Sequence, residues 1–455
     1  MDMANSATHH QSDSKRKKVE LSQDTVVSID RISNLSDSLI CHILSFLSTE
    51  EAVVTSILSN RWKLLWTLVP KINLNDNRRE ENPLSLTHIV YRVLALHRAP
   101  LLRNFSLTSF STCDPFHLDT WIHTVISRKV QQLHLQFSHS KKLVKLPRTV
   151  FTCKTIVILE LRADIVLDPP SNFQFPSLKI LCLCGIVYKS EDSFSNLLSG
   201  CPVLEDLTVE LREDLDSATS FKIIVPTLKR LEIEVGSVSP KPHDYKFEIY
   251  SPALDNFRFY GDLCDLVFIE KLTKLVDAHV SIYAGHWVLE NGLHYGARIF
   301  KLVRELNCSK FLSICPGQKE CLCFDSVYPS MYHNLVRLEF GVNLSNWHVL
   351  KALLLVAPNL KVLVLDKNDD DEEENRLCCI GPPDGSGCLS LLTAFNFNGF
   401  EELEHEVEFV KYVLNEARFL NAMTIKINDK HLKESLLQRL SMFPRQSTKC
   451  LITVE

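Results

Sequence analysis

Leu204-Glu205-Asp206-Leu207-Thr208-Val209-Glu210 and, 24 residues on, Leu228-Lys229-Arg230-Leu231-Glu232-Ile233-Glu234 share one rhythm: apolar, two residues, apolar, one residue, apolar. The same triplet recurs with its first member at Leu102, Val130, Ile156, Leu178, Leu204, Leu228, Leu254, Leu275, Val303, Leu335, Leu360, Leu392 and Leu420. The twelve steps run from 21 to 32 residues and average 26.5. A single triplet carries no weight, because at this apolar content about one start in eleven matches by chance. The spacing carries the weight, since it falls at or near leucine-rich-repeat periods.

If each triplet ends in a strand, the residue between its last two apolar members and the residue after the last both face away from the core. The in-between set is Ser106, His134, Glu160, Cys182, Thr208, Glu232, Arg258, His279, Asn307, Glu339, Val364, Asn396 and Thr424. With the following set, from Thr108 and Gln136 to Asn398 and Lys426, 22 of 26 positions are non-apolar, so the alternation is that of strands. Short strands that cannot bury their apolar edge alone must stack into a parallel sheet with the connecting segments as an outer layer. Ser195 to Pro202 and Ala352 to Pro358 read as short helices stopped by Gly or Pro. Phe175-Pro176-Ser177, Val225-Pro226-Thr227 and Ser251-Pro252-Ala253 read as turns without a full helix.

The whole chain, 455 residues with 45% hydrophobic and 23% charged side chains, has the balance of a folded protein, and its mean hydropathy is +0.01. Fifty basic against 55 acidic residues leave a net charge of −5, which offers no general field for nucleic acid or an acidic membrane. Fifteen cysteines behind a polar start, MDMANSATHH, predict a reducing compartment, nucleus or cytoplasm, and no disulfide framework. Cys182/Cys184, Cys321/Cys323 and Cys378/Cys379 lack the spacing of a tetrahedral zinc site. No cofactor or metal is expected.

Residues 1–28 read as a disordered tail, in which Lys15-Arg16-Lys17-Lys18 is either a nuclear-import signal or a solvated charge run. Beyond it Ile40, Ile43, Leu44 and Leu47 draw one helical stripe, capped by Ser36 or Asp37. Ser48 and Glu51 form a capping box for a second helix running to about Ser59, and Asn60 to Trp66 form a third, with Trp62 and Trp66 on one side. Three short helices bury only a small core, so apolar surface is expected to remain for a partner.

Asp30-Arg31-Ile32-Ser33, the helix ending Ile43-Leu44-Ser45-Phe46-Leu47, and Ala52 to Trp62 together resemble the F-box of plant F-box proteins over residues 30–66. That family usually has proline after the Leu at positions 35 and 47, where this chain has Ser36 and Ser48. Leu146-Pro147, Phe151 to Lys154, Phe175 to Lys179 and Leu197 to Glu205 look like the repeats of the plant F-box/leucine-rich-repeat family. Phe397 to Glu401, Glu408 to Ala417 and Met423-Thr424-Ile425 are similar to its closing FBD domain.

The fold expected is thus α/β: a three-helix F-box, an irregular leucine-rich-repeat solenoid or horseshoe, and an FBD α/β unit at its end. The division is tail 1–28, F-box 29–75, repeats 76–367, an acidic and Pro/Gly loop 368–387, and FBD 388–455. A helix near residues 403–418 lies between two strands of the triplet pattern. The resemblance implies a non-catalytic substrate-recognition subunit of an SCF-type ubiquitin ligase. It would join a Skp-family adaptor, through it cullin and RING subunits, and an unidentified target protein, with no nucleic acid and no membrane. The adaptor-binding candidates are Leu35, Ile40, Ile43, Leu44, Leu47, Val53, Leu58, Trp62 and Trp66, of which about half are expected to pack internally instead. The alternative is a non-ligase scaffold with a degenerate F-box.

No G-x-S-x-G elbow, Gly-rich phosphate loop or H-E-x-x-H occurs. His134, His279 and Cys182 are expected on one face but too far apart along the array to form a Cys/His pair. Arg258, Tyr260 and His279 on adjacent strands are the candidate target patch, with ordinary solvated strand positions as the plainer reading.

Overall fold

The computed structural model describes residues 32, 34–76, 86–110, 113–137, 143–212, 218–236, 245–282, 298–316, 330–343, 346–367, 388–428 and 432–455. The tail with Lys15 to Lys18, the segment Asp30-Arg31 with Ser33, Cys321/Cys323, Cys378/Cys379, the acidic run Asp369 to Glu374 and the segment Gly381 to Gly387 lie outside them.

The chain is mixed α/β. It opens with a helical headpiece: Asp37–Leu44, Thr49–Val54, a 3-10 turn Thr55–Ile57 and a 3-10 segment Trp62–Leu68. The Ser48 hydroxyl accepts from Glu51 N–H at 3.2 Å while Ser48 N–H donates to Glu51 Oε2 at 2.8 Å, so the capping box forms as its sequence predicts. Ser36 caps the first helix by accepting from Leu39 N–H. The third element is 3-10 rather than α, and the second helix stops well short of Ser59. Seven residues that must turn both Trp62 and Trp66 inward and deliver the chain into a strand are accommodated by the tighter coil. Arg61 ties the two ends of the unit together, donating to Asp37 Oδ1 and to the Leu35 carbonyl.

The remainder is built on one parallel sheet. Among the described residues fifteen strands follow in chain order: Lys71–Asn75, Asn104–Ser109, Gln132–Phe137, Ile158–Leu167, Ile180–Tyr188, Asp206–Leu211, Arg230–Val235, Asn256–Gly261, Asp277–Ile282, Phe311–Pro316, Arg337–Val342, Val362–Lys367, Ala394–Asn398, Ala422–Lys426 and Leu451–Val454. A sixteenth, Val144–Lys145, pairs off this path. The last two triplet members face the core at every step but one, as in Leu181/Leu183, Leu207/Val209, Leu231/Ile233 and Phe257/Phe259, all buried. The first member closes a turn, its N–H donating three residues back, as in Leu204 to Cys201, Leu228 to Val225 and Leu254 to Ser251. A helix Glu404–Glu416 lies between the strands Ala394–Asn398 and Ala422–Lys426, within the expected 403–418.

One triplet is misplaced. Val303 sits in a helical stretch, 298–305, and the strand is Phe311–Pro316, which brings Leu312 and Ile314 into the core rows. The turn-closing position there is Ser309, fully buried and donating to the Leu306 carbonyl, so the pattern's apolar requirement passed over it. Asn307 therefore does not belong to the outward row, and Ser313 takes its place between His279 and Glu339.

The outer layer is also richer in strand than its turn signals imply. Ser220–Ile224, Lys246–Tyr250 and Asp265–Phe268 form a second parallel sheet immediately before the Pro-containing or Leu-containing turns. Phe221 stacks on Phe247 with ring centroids 5.0 Å apart, which fills the space that helices such as Glu191–Ser199 and Trp347–Leu355 fill elsewhere.

The headpiece is hydrogen-bonded to the start of this sheet. Asn73 N–H donates to Thr49 Oγ1 at 2.7 Å and Lys71 Nζ to the Ser45 carbonyl at 3.2 Å. Arg98 and Ala99 N–H both donate to the Thr67 carbonyl. Buried His97 completes the junction: its Nε2–H donates to the Val69 carbonyl and its Nδ1 accepts from Arg128, each at 2.7 Å. Burial, with the Arg128 charge beside it, holds the imidazole down at about 4. An unfolded chain takes up that proton near pH 6.5 and the folded one does not, so stability is present above pH 6.5 and is lost as pH falls toward 4. The loss from this group is about 3 kcal/mol. Urea unfolding of wild type and His97→Gln at pH 7 and pH 4.5 should show a smaller pH penalty in the variant; equal penalties would reject the assignment.

Candidate docking faces of the headpiece and the sheet

The nine headpiece candidates divide into three groups. Ile40, Leu44, Trp62 and Trp66 are buried in the headpiece core together with Ala52 and Leu65, where they hold the unit together and offer little contact surface. Leu35 and Leu47 are half-buried against that core. Ile43, Val53 and Leu58 are exposed. Further apolar side chains absent from the candidate set join them on the surface: Leu39, Phe46, Val54, Ile57 and Leu64, with Phe46 74% and Ile57 82% accessible. A unit of about 40 residues that leaves this many large apolar side chains in water has surface for a partner to cover. These residues escaped the sequence reading because the helical stripe locates the side facing the core, whereas the second apolar side of a very short helix has no periodicity of its own.

On the sheet, the outward row runs in register from Asn73, Ser106, His134, Glu160, Cys182, Thr208, Glu232, Arg258 and His279 through Ser313, Glu339, Val364, Asn396 and Thr424. Arg258 lies directly opposite His279, and the Tyr260 ring is 5.2 Å from the imidazole. The predicted trio is thus brought together, at one side of an open depression of about 410 Å³ that Phe311, Ser313, Arg337 and Glu339 close on the other. The depression exists because Ser313 is small between larger neighbours. Arg337 donates through Nε and Nη2 to Glu339 Oε1, which fixes that wall. Burial and the neighbouring Arg258 charge lower the His279 pKa, so at neutral pH the ring is an uncharged donor and acceptor. Phe311, Ser313 and Arg337 were not among the candidates, the first two because their strand was placed too early in the sequence.

No Cys/His pair is assembled from the three residues named for one. His134 is engaged by Glu160, Nδ1 to Oε2 at 2.9 Å, with Glu160 standing between it and Cys182. His279 is four strands from Cys182, on the order of 19 Å at normal strand spacing.

Comparison with known proteins bears on all three regions. A family model described as F-box domain matches residues 32–73, one described as FBD-associated F-box protein At5g56370, LRR repeats, matches 118–241, and one described as FBD matches 387–425. The F-box/FBD/LRR-repeat protein At4g26340 of Arabidopsis thaliana is 31% identical, over 92% of this chain and 98% of its own length. From the same plant, the FBD-associated F-box protein At4g10400 is 31% identical over 93% and 99%, and the F-box/FBD/LRR-repeat protein At2g04230 is 31% identical over 94% and 97%.

Proposed function

The chain belongs to the plant F-box/FBD/LRR-repeat protein family, and from that premise we propose that it is the substrate-recognition subunit of an SCF-type ubiquitin ligase. The headpiece docks on a Skp-family adaptor, which brings cullin and RING subunits. The polar face of a horseshoe-shaped repeat array, closed by the FBD unit, binds the target around Arg258, Tyr260 and His279. The chain catalyses nothing itself. Its contribution is proximity, which converts an encounter between target and ubiquitin-charged enzyme into a local event. The working compartment is the nucleus or cytoplasm, and the divisions at residues 29–75, 76–367 and 388–455 are the working domain limits.

The observation that carries this reading is the exposed apolar side of the headpiece, from Leu39 and Phe46 to Ile57 and Leu58. Affinity purification of the full chain from plant cells under proteasome inhibition should recover the adaptor and cullin in stoichiometric amounts, together with candidate targets. Recovery of targets without adaptor would leave only the scaffold reading.

That second reading draws on Ser36 and Ser48, which stand where the family usually has proline. Both serines are helix N-caps with φ of −67° and −64°, the value proline itself imposes. Proline at both positions would gain about 0.4–1 kcal/mol each by restricting the unfolded chain. It would give up cap hydrogen bonds worth about 1 kcal/mol each. We therefore expect the Ser36→Pro/Ser48→Pro double variant to change adaptor affinity less than about threefold, roughly 0.7 kcal/mol. A gain of tenfold or more by calorimetry would mark the natural headpiece as impaired and favour the scaffold.

A further inference from the structure

Two thiols interrupt the polar face of the sheet. Cys182 and Cys184 occupy successive outward positions of the strand Ile180–Tyr188, where neighbouring strands carry Glu160, Arg162, Thr208 and Glu210. Their sulfurs are 3.4 Å apart and unbonded, and Arg162 Nη1 donates to Cys184 Sγ at 3.3 Å. At about 3.3 Å rise per residue, two same-face positions of one strand place their Cα atoms some 6.6 Å apart, at the upper end of what a disulfide spans. The register with the preceding strand shifts just beyond the pair, between Arg162 and Ile165, and Gly185, next to Cys184, has φ +61°.

We propose that Cys182 and Cys184 are an oxidative modification site, closing a reversible disulfide within one strand when the protein meets a hydroperoxide. The Cys184 S–H donates to Cys182, and with the Arg162 charge nearby this outweighs burial and lowers the Cys182 pKa. The same hydrogen bond, together with burial, pushes Cys184 up. Elsewhere burial raises the thiols of Cys201 and Cys264, which makes them poor nucleophiles. Cys182 is therefore the attacking sulfur. Its thiolate forms an S–O bond as the peroxide O–O bond breaks, leaving a sulfenic acid and a hydroxide, which becomes water with the proton that the Cys182 thiol released on ionising. The Cys184 sulfur then attacks the sulfenic sulfur; the S–S bond forms, the S–O bond breaks, and the Cys184 proton leaves with the hydroxyl as water. Two thiols lose two electrons and one peroxide becomes two waters.

The tryptic peptide from Ile180 to Lys189 contains both cysteines and no other, which makes the test direct. Reduced full-length protein is exposed to equimolar hydrogen peroxide, free thiols are alkylated, and the peptide is weighed. We expect it to escape alkylation and lose two hydrogens while Cys201 and Cys264 remain alkylated, and to recover both labels after dithiothreitol. Cys184→Ser should stop at a sulfenic acid on Cys182 that dimedone traps, and Cys182→Ser should leave Cys184 a free thiol. A peptide still doubly alkylated when half-buried Cys308 is oxidised, or dimedone labelling of Cys184 in Cys182→Ser, would overturn the proposal. Neither result depends on adaptor or target binding.

Discussion

Replacing Ile57 and Leu58 together by aspartate is expected to weaken adaptor binding at least 100-fold while leaving the chain folded. The two side chains lie at the 3-10 turn after the second helix and are 82% and 63% accessible, so a carboxylate there meets water in the free protein and costs little stability. In a complex the same carboxylates must be desolvated against apolar partner surface without a counter-charge. A loss of about 2.7 kcal/mol or more, the scale of an interface hot spot, corresponds to that factor of 100. Calorimetry with purified adaptor, alongside circular dichroism to show an unchanged fold, decides it: full affinity in a folded variant would end the ligase reading of this headpiece. Substitutions at Leu44 or Trp62 are poorer tests. Leu44 is 1% exposed and Trp62 belongs to the same core, so Leu44→Asp or Trp62→Ala would empty or charge the interior at a cost of about 3–5 kcal/mol and would abolish binding by unfolding the unit.

The second large effect is expected at Glu406, the buried carboxylate of the helix Glu404–Glu416. Its Oε2 accepts from the N–H groups of Glu401 and Leu403 at 3.0 and 3.2 Å, and its Oε1 accepts from Lys367 Nζ at 3.3 Å. Lys367 is the last residue of the strand Val362–Lys367, is itself nearly buried, and also pairs with Glu401. Burial alone would lower the Lys367 pKa, but the Glu401 hydrogen bond and the two carboxylate charges prevail and hold it above the usual lysine value. Its contribution to stability is therefore complete below the unfolded lysine pKa and is lost only as alkaline pH rises through the folded one. Glu406→Ala takes from Lys367 its buried carboxylate partner and leaves two backbone donors without an acceptor. We expect a loss of about 3 kcal/mol in urea unfolding, the lower end for a broken buried pair because Glu401 remains. Glu406→Gln, whose carbonyl oxygen keeps an acceptor for the two backbone donors but loses the charge facing Lys367, should lie between wild type and alanine. A change below about 1 kcal/mol for alanine would mean that water replaces the carboxylate.

Most of the sheet was legible because a strand two or three core residues long has few ways to be buried, and the triplet records that constraint directly. It failed where a position was buried but polar: Ser309 closes the same turn that leucine closes in other repeats, and a rule written in apolar letters passes over it. The first strand, by contrast, was readable and overlooked, since Val69, Ile72 and Leu74 repeat the triplet and Ile72 and Leu74 lie in register with Phe105 and Leu107. The second sheet was hidden for another reason. Ser220–Ile224 and Lys246–Tyr250 alternate well, but each adjoins a proline turn, and the turn signal alone does not say which element it ends. At the candidate faces, the sequence brought Arg258, Tyr260 and His279 together through spacing alone. It could not divide the headpiece residues into interior and surface, because Ile40 and Leu44 share a helix side that Ile43 merely flanks.

The bonds from Asn73 N–H to the Thr49 hydroxyl and from Arg98 and Ala99 N–H to the Thr67 carbonyl leave no slack between the helical end of the molecule and its sheet. Cargo seated on the strands would be presented at a constant bearing, as on a jib fixed to its mast. Which of its lysines come within reach would then follow from the angle at which it is held, with tether length having no say in the matter.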